Sequence, residues 1–241
     1  MNDMEPKVLI TGTGRGLGKF LYSEFSKKDI IVESFTRKDN IKEFIEKLHF
    51  TINQSYDMII HCAANVSHMS WEDEIPYSYY YDNVFLTQEI LKIPHKRFIY
   101  ISSIDQQKQS PYGICKKISE SIVKEKGINH LIIRPTGLLG KEMKKNTFQK
   151  LIKGEPIALT PDSVMNYVLY DDVLEAIYSK FMGTMTLCAD GEITMKEISD
   201  LVKKETKYGD IYFNIESSKF TPTLKYTSKE NITRYLEKYE K

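Results

Sequence analysis

The residues best suited to chemistry lie between Ser102 and Lys116, SSIDQQKQSPYGICK. Two adjacent serines precede a Pro-Tyr-Gly turn, and a lysine follows the tyrosine by four residues. On a helix that begins near Tyr112, Tyr112 and Lys116 stand one turn apart on the same face. A tyrosine hydroxyl titrates near ~10, too high for proton work at neutral pH. A neighbouring ammonium favours the phenolate and lowers that pKa. A serine hydroxyl beside the pair, Ser103 or Ser102, can hold a carbonyl oxygen while the tyrosine gives or takes its proton. That is a general acid–base site. Among 16 tyrosines Tyr112 alone has a lysine at this distance, and chance would produce as much. The spacing counts only if the surrounding elements place it at a ligand site.

Those elements begin at Lys7–Thr11 (KVLIT), a short apolar run that predicts a buried strand. It enters TGTGRGLG, Thr11 to Gly18, and then a segment with helical spacing at Leu17, Phe20, Leu21 and Phe25. Strand, glycine loop and helix form the context that a phosphate-binding turn requires. Glycines let the backbone approach a pyrophosphate, and the helix N-terminus offers it free N–H groups. The dinucleotide pattern G-x-G-x-x-G is not met, because position 17 is leucine. Gly12, Gly16 and Gly18 fit T-G-x-x-x-G-x-G instead.

Ile30–Phe35 predicts a second strand. No ribose-binding acid stands at its end, where the chain reads Thr36-Arg37-Lys38. Arg15 and Arg37 suit a 2′-phosphate, and Asp39 would stand near an adenine. Ile41–Leu48 reads as an amphipathic helix, with the usual third strand shortened or lost. Asp57–Ala64 (DMIIHCAA) predicts another strand. His61, Cys62 and His68 invite a metal reading, but no fourth spaced ligand accompanies them. Pro76–Lys92 reads as a helix with Val84, Leu86, Ile90 and Leu91 toward a core. Arg97–Ser103 is a strand ending in the serine pair, and ligands bind beyond the carboxyl ends of such strands. Gly127 fits a helix stop, and Asn129–Arg134 leads into RPTGLLG. Strands alternating with helices predict a parallel sheet covered on both faces.

The bulk figures exclude several classes. At 241 residues the chain is one large domain, or one with a small appendage. A net charge of +1 gives no electrostatic case for nucleic acid or an anionic membrane. Three widely spaced cysteines, Cys62, Cys115 and Cys188, argue for a reducing, cytoplasmic setting. MNDMEPKVLI does not read as a signal peptide, and no apolar run approaches spanning length. Neither G-x-S-x-G nor H-E-x-x-H occurs, which removes the serine-hydrolase and zinc-protease readings.

The T-G-x-x-x-G-x-G spacing is characteristic of the short-chain dehydrogenase/reductase superfamily. With DMIIHCAA, DNVFLTQEIL, the Tyr112–Lys116 pair, RPTGLLG, VLYDDVLEAIY and GTMTLCADGEITMKEISDLV, the chain resembles its extended branch, the NAD-dependent epimerase/dehydratase family. The resemblance runs from Lys7 to about Lys204. It departs at Leu139, where tyrosine is usual, and in the short gap from Ser103 to Tyr112.

The resemblance implies an α/β fold, a Rossmann-type doubly wound parallel sheet over 1–241. A small substrate-side subdomain would come mainly from 137–170 and 185–241. It implies NADP, with NAD possible, bound by Gly12, Thr13, Gly14, Arg15, Gly16, Leu17, Gly18, Arg37, Asp39, Cys62, Ala63, Ala64, Tyr112, Lys116, Pro135, Thr136 and Gly137. In the catalytic group, Ser103 or Ser102 polarises a carbonyl, Tyr112 exchanges the proton, Lys116 holds a ribose hydroxyl and Asn83 supports the lysine. The nearest pattern is that of the sugar-nucleotide reductases, with an epimerase or a non-catalytic NADP-binding sensor as alternatives. Dehydration is disfavoured, because Ile104-Asp105 follows Ser103 where an Asp-Glu pair is usual. A homodimer through the helices at Pro76–Lys92 and Tyr112–Gly127 is a further implication. The tail from Lys219 to Lys241 reads as a capping helix or arm.

Overall fold

A computed structural model describes residues 5–36, 39–50, 55–67, 69–216, 220–221 and 223–240. In chain order its elements are β1 (Lys7–Thr11), α1 (Gly16–Phe25), β2 (Ile31–Phe35), α2 (Ile41–Phe50), β3 (Met58–His61), α3 (Tyr77–Tyr80), a π-helical turn (Tyr81–Phe85) and α4 (Leu86–Leu91). There follow β4 (Phe98–Ile101), a 3-10 turn (Ile104–Gln107), α5 (Pro111–Lys126), β5 (Leu131–Pro135), β6 (Gly137–Leu139), α6 (Thr147–Ile152), β7 (Val164–Met165), β8 (Tyr167–Leu169) and α7 (Tyr170–Tyr178). The last four are β9 (Gly183–Leu187), β10 (Ile193–Thr194), α8 (Met195–Val202) and α9 (Ser228–Tyr239).

Six strands form one sheet in the order β2-β1-β3-β4-β5-β9. β1 pairs in parallel with both β2 and β3, and β3–β4 and β4–β5 continue in parallel. Strand order therefore reverses at β1, where Thr11 registers with Phe35 on one side and His61 on the other. Such a reversal opens a crevice at the carboxyl ends of the strands. This is the Rossmann-type, doubly wound α/β fold.

The apolar runs of β3, β4 and β5 are unbroken because both faces of the sheet are covered. Leu9, Ile59, Phe98, Tyr100 and Ile132 belong to one buried cluster. Each such side chain contributes about 1.5–3 kcal/mol on leaving water. α1 turns Leu17, Leu21 and Phe25 inward at positions i, i+4 and i+8. Among the described residues the stretch between β2 and β3 carries α2 and no strand, so β2 is the sheet edge on that side.

The helix expected over Pro76–Lys92 runs without interruption from Tyr77 to Leu91, with a π-helical turn at Tyr81–Phe85 in its middle. Asn83 accounts for that turn. Its side-chain Nδ2 donates to Tyr79 O at 3.0 Å, the carbonyl that an α-helix would give to the Asn83 backbone N–H. The displaced backbone widens into the π-helical turn.

The chain divides into two compact units. One is Met1–Arg134 with Leu174–Met185, and the other is Pro135–Val173 with Thr186–Lys241. In the second unit β6 pairs with β8 and β7 with β10. Phe148 meets the rings of Tyr167 and Tyr235 at centroid distances of 5.3 and 5.4 Å. α9 begins with a capping box between Thr227 and Glu230. It is held by Arg234 and Lys238 against Asp172 and Asp171, at 3.3 and 2.8 Å. α9 forms most of the tail; Lys219 and Lys241 lie outside the described residues.

Candidate active site

The glycine loop sits at the crevice. Gly12 has φ +75° and Gly16 has φ +58°, conformations that favour glycine. A Cβ on Gly12 would stand 2.8 Å from Ala63 N, and one on Gly18 would collide with Gly12 O. The loop therefore lies directly on the Cys62-Ala63 backbone. At Gly14 a Cβ would meet nothing. α1 starts at Gly16 with Leu17 and Gly18 buried, no side-chain cap and no acidic residue in its first turn. Among the described residues its leading N–H groups and the positive end of its dipole meet no capping side chain and no first-turn acid, a cradle that fits a phosphate. Thr13 is half-buried. Arg15 is exposed and has no ion-pair partner among the described residues. Asp39 Oδ2 accepts from Thr36 N and Oγ1 at 2.6 and 3.0 Å. Arg37 and His68 lie outside the described residues. Among those described, no group of three or more His, Cys, Asp or Glu could hold a metal ion.

α5 carries the acid–base pair. Ser110 caps it by accepting from Gly113 N at 3.2 Å, and Pro111 occupies its first position. Its inner face buries Lys116, Ser119 and Glu120, three polar side chains that each have a partner. Lys116 is only 2% exposed. Its Nζ donates to Ile101 O, at the end of β4, at 2.8 Å. The same Nζ lies 4.7 Å from the Tyr100 ring centroid and 5.7 Å from that of Tyr112. Burial pulls the Lys116 pKa down to about 8, against the opposing pull of Cys62, Glu120 and Cys115.

The two serines differ. Ser102 is buried, and its Oγ donates to Glu120 Oε1 at 2.6 Å. Glu120 also receives Arg134 Nε at 2.8 Å. Ser103 is half-buried and caps the 3-10 turn, its Oγ accepting from Asp105 N at 3.1 Å. That role leaves its O–H proton available to donate. The short Ser103–Tyr112 gap is taken up by the 3-10 turn, which folds onto the start of α5. Gly113 permits this, since a Cβ there would collide with Asp105 O and Lys108 O.

Tyr112 behaves differently from expectation. Its pKa is raised rather than lowered, first by burial and then by Tyr100, Asp105 and Tyr79. The resting side chain is a neutral phenol, a proton donor. Asn83 is buried, with Oδ1 accepting from Asn65 N at 3.0 Å and Nδ2 donating to Asn65 O at 3.1 Å. Its carbonyl accepts from Ser119 Oγ at 2.6 Å, while Lys116 bonds Ile101.

The profile of the NAD dependent epimerase/dehydratase family matches residues 8–179. The chain belongs to that family. No curated protein sequence matches it. Among solved structures, a dTDP-4-dehydrorhamnose reductase ortholog from Clostridium acetobutylicum is 20% identical with a TM-score of 0.77, covering 98% of this chain and 100% of that one. The Bacillus anthracis dTDP-4-dehydrorhamnose reductase, in complex with NADP, is 18% identical with a TM-score of 0.73, covering 98% and 100%. UDP-glucuronic acid 4-epimerase from Bacillus cereus, in complex with UDP-glucuronic acid and NAD, is 16% identical with a TM-score of 0.73, covering 96% and 98%. At these identities the likeness establishes the fold.

In this epimerase/dehydratase-family chain Pro135, Thr136 and Gly137 open the second unit. Thr136 Oγ1 donates to Asn166 Oδ1 at 2.8 Å, and a Cβ on Gly137 would meet the Tyr167 ring at 2.6 Å. A cavity of about 550 Å³ in that unit, lined by Asp190, Glu192, Glu197, Asp200 and Lys229 among others, contains no predicted site residue. Sequence reasoning missed Glu120, the buried partner of Ser102 and Arg134. A signal was present: Glu120 follows Tyr112 and Lys116 at the same four-residue spacing, on the same helix face.

Proposed function

We propose that the protein reduces a keto group on a nucleotide-activated sugar, with NADPH as the favoured reductant. The observation that carries this reading is the buried Lys116 ammonium, bonded to Ile101 O at the end of β4 and 5.7 Å from the Tyr112 ring. Gly12, Gly16, Gly18 and the first turn of α1 would hold the pyrophosphate, with Cys62, Ala63 and Ala64 beside them. Arg15 suits a 2′-phosphate. When bound, the nicotinamide would supply hydride to the substrate's carbonyl carbon. Ser103 donates its proton to the carbonyl oxygen as a hydrogen bond. Tyr112, a neutral phenol, transfers its proton to that oxygen as negative charge develops there. Lys116 stabilises the phenolate left behind.

One observation favours a second reading, an epimerase that uses NAD. The UDP-glucuronic acid 4-epimerase of like fold is in complex with NAD. In an epimerase the same tyrosine would take a proton and return it, with no net use of cofactor. Incubation with NADPH or NADH and a panel of 4-keto and 4-hydroxy sugar nucleotides separates the two. Consumption of NADPH with a reduced sugar supports the reductase. Isomerised sugar with unchanged cofactor supports the epimerase. Binding without turnover on every sugar contradicts both.

Pairing of two copies belongs to the same reading. Tyr77 and Phe85 stack 5.8 Å apart and, with Ile118 of α5, are exposed. Sedimentation equilibrium of the intact protein tests it.

A further inference from the structure

A buried chain of hydrogen bonds runs alongside the acid–base group. It starts at Thr11, the last residue of β1. Thr11 Oγ1 accepts from Cys62 N and Ala63 N, both at 3.1 Å. Those bonds occupy both lone pairs of the hydroxyl. Its proton must then go to its remaining partner, His61 Nδ1, at 2.7 Å. His61 is thereby the Nε2–H tautomer, and Nε2–H donates to Thr87 Oγ1 at 3.1 Å. Thr87 lies in α4, and the chain ends there.

The chain thus runs from the Cys62 and Ala63 N–H groups through Thr11 and His61 to Thr87. Thr11, His61 and Thr87 are each at most 1% exposed. Hydrogen bonds in such a buried chain are cooperative, and breaking one link weakens the others. Burial pushes the His61 pKa down to about 3, with the Lys116 ammonium acting in the same direction, so the imidazole is neutral. Its ring also stacks on Tyr100, with centroids 5.7 Å apart.

The chain meets two parts of the site. At one end the Cys62-Ala63 backbone is held where Gly12 passes it. Midway, the His61 ring backs Tyr100, over whose ring Lys116 Nζ rests at 4.7 Å. We propose that His61 and Thr87 are positioning residues: their hydrogen bonds hold the backbone under the glycine loop, and the His61 ring stacked on Tyr100 keeps that loop in register with Lys116, so that nucleotide binding depends on the intact chain. The inference rests on the nucleotide-binding reading above. It requires neither residue to touch nucleotide or substrate.

Thr87→Val keeps the shape and removes the link, and Thr87→Ser restores the hydroxyl. NADPH fluorescence titrations are made at a temperature where both variants are folded. The expected result is about tenfold weaker binding for Thr87→Val, with Thr87→Ser within about threefold of the wild type. A merely structural threonine would lower stability and leave the NADPH Kd unchanged, and that result overturns the proposal. A second measurement needs no variant. Long-range ¹H–¹⁵N spectra of the wild type are expected to show His61 as neutral Nε2–H throughout about pH 5 to 8. An Nδ1–H tautomer, or a titration in that window, overturns the chain. Wild-type protein that binds neither NADPH nor NADH overturns the nucleotide reading itself. The two failures are distinguishable, because the imidazole spectrum is read on the protein alone.

Discussion

Ser102 Oγ donates to Glu120 Oε1 at 2.6 Å, and both side chains are buried. One member of the serine pair is therefore part of the bond network between β4 and α5. Ser103, whose Oγ only accepts from Asp105 N, retains a proton to donate to a ligand. Ser102→Ala is expected to cost about 1–3 kcal/mol of stability, because it removes a partner from a buried carboxylate. Its turnover is expected to stay within about threefold of the wild type. Ser103→Ala is expected to lower kcat/KM about 100-fold with little change in Tm, as for loss of one oxyanion donor. Melting curves and initial rates on both variants check this. Loss of turnover in Ser102→Ala instead would reverse the assignment.

The Lys116 ammonium gives opposite pH slopes to stability and activity. Its pKa is about 8 in the folded protein, while an unfolded lysine titrates near ~10.4. Between these values the unfolded chain binds more protons, so stability rises with pH across that window. Below about 8 the cost of burying the ammonium is present in full. Turnover that needs the ammonium falls as pH passes about 8. Urea unfolding and kcat/KM profiles between about pH 7 and 10 test both slopes. A rate profile flat through that range contradicts the role given to Lys116.

The loop glycines are not equivalent. Gly18→Ala would drive a Cβ into Gly12 O, and Gly12→Ala would add strain at φ +75° to a 2.8 Å approach to Ala63 N. Each is expected to weaken NADPH binding at least about tenfold. Gly14→Ala meets open space and is expected to bind within about threefold of the wild type. Isothermal titration with NADPH on the three variants is sufficient. Equal losses at all three positions would show that the loop acts through flexibility rather than close approach.

These contrasts also show what the sequence can and cannot reveal. The glycine loop and the apolar runs of β3, β4 and β5 are legible because their requirements are local. A positive φ calls for glycine, and a strand covered on both faces calls for an unbroken apolar run. The choice between Ser102 and Ser103 is not local, because it depends on Glu120, 18 residues away on the facing helix. The direction of the Tyr112 shift is hidden for a similar reason. Lys116 is visible four residues on, but burial and the neighbours Tyr100, Asp105 and Tyr79 are tertiary facts. The π-helical turn around Asn83 goes with one side-chain bond to Tyr79 O, which periodicity does not register. His61 reads from the sequence as a weak metal ligand. Its partner Thr87 stands 26 residues on, and only the fold brings the two together.

Tyr112→Phe isolates the proton. Removing one hydroxyl leaves the ring's packing in place. NADPH affinity is expected to stay within about threefold, while turnover falls ~10²–10⁴-fold. A direct binding titration beside a rate assay separates the two effects. Full activity in Tyr112→Phe would rule out this tyrosine as the acid.

The most direct test of the whole account follows the hydride. Each of the two stereospecifically C4-deuterated NADPH forms is incubated with the protein and a 4-keto sugar nucleotide, and the product is examined by NMR and mass spectrometry. The account predicts that one of the two forms delivers one deuterium to the former carbonyl carbon, with one NADPH oxidised per product. An isomerised sugar free of deuterium, with the NADPH unconsumed, would contradict it.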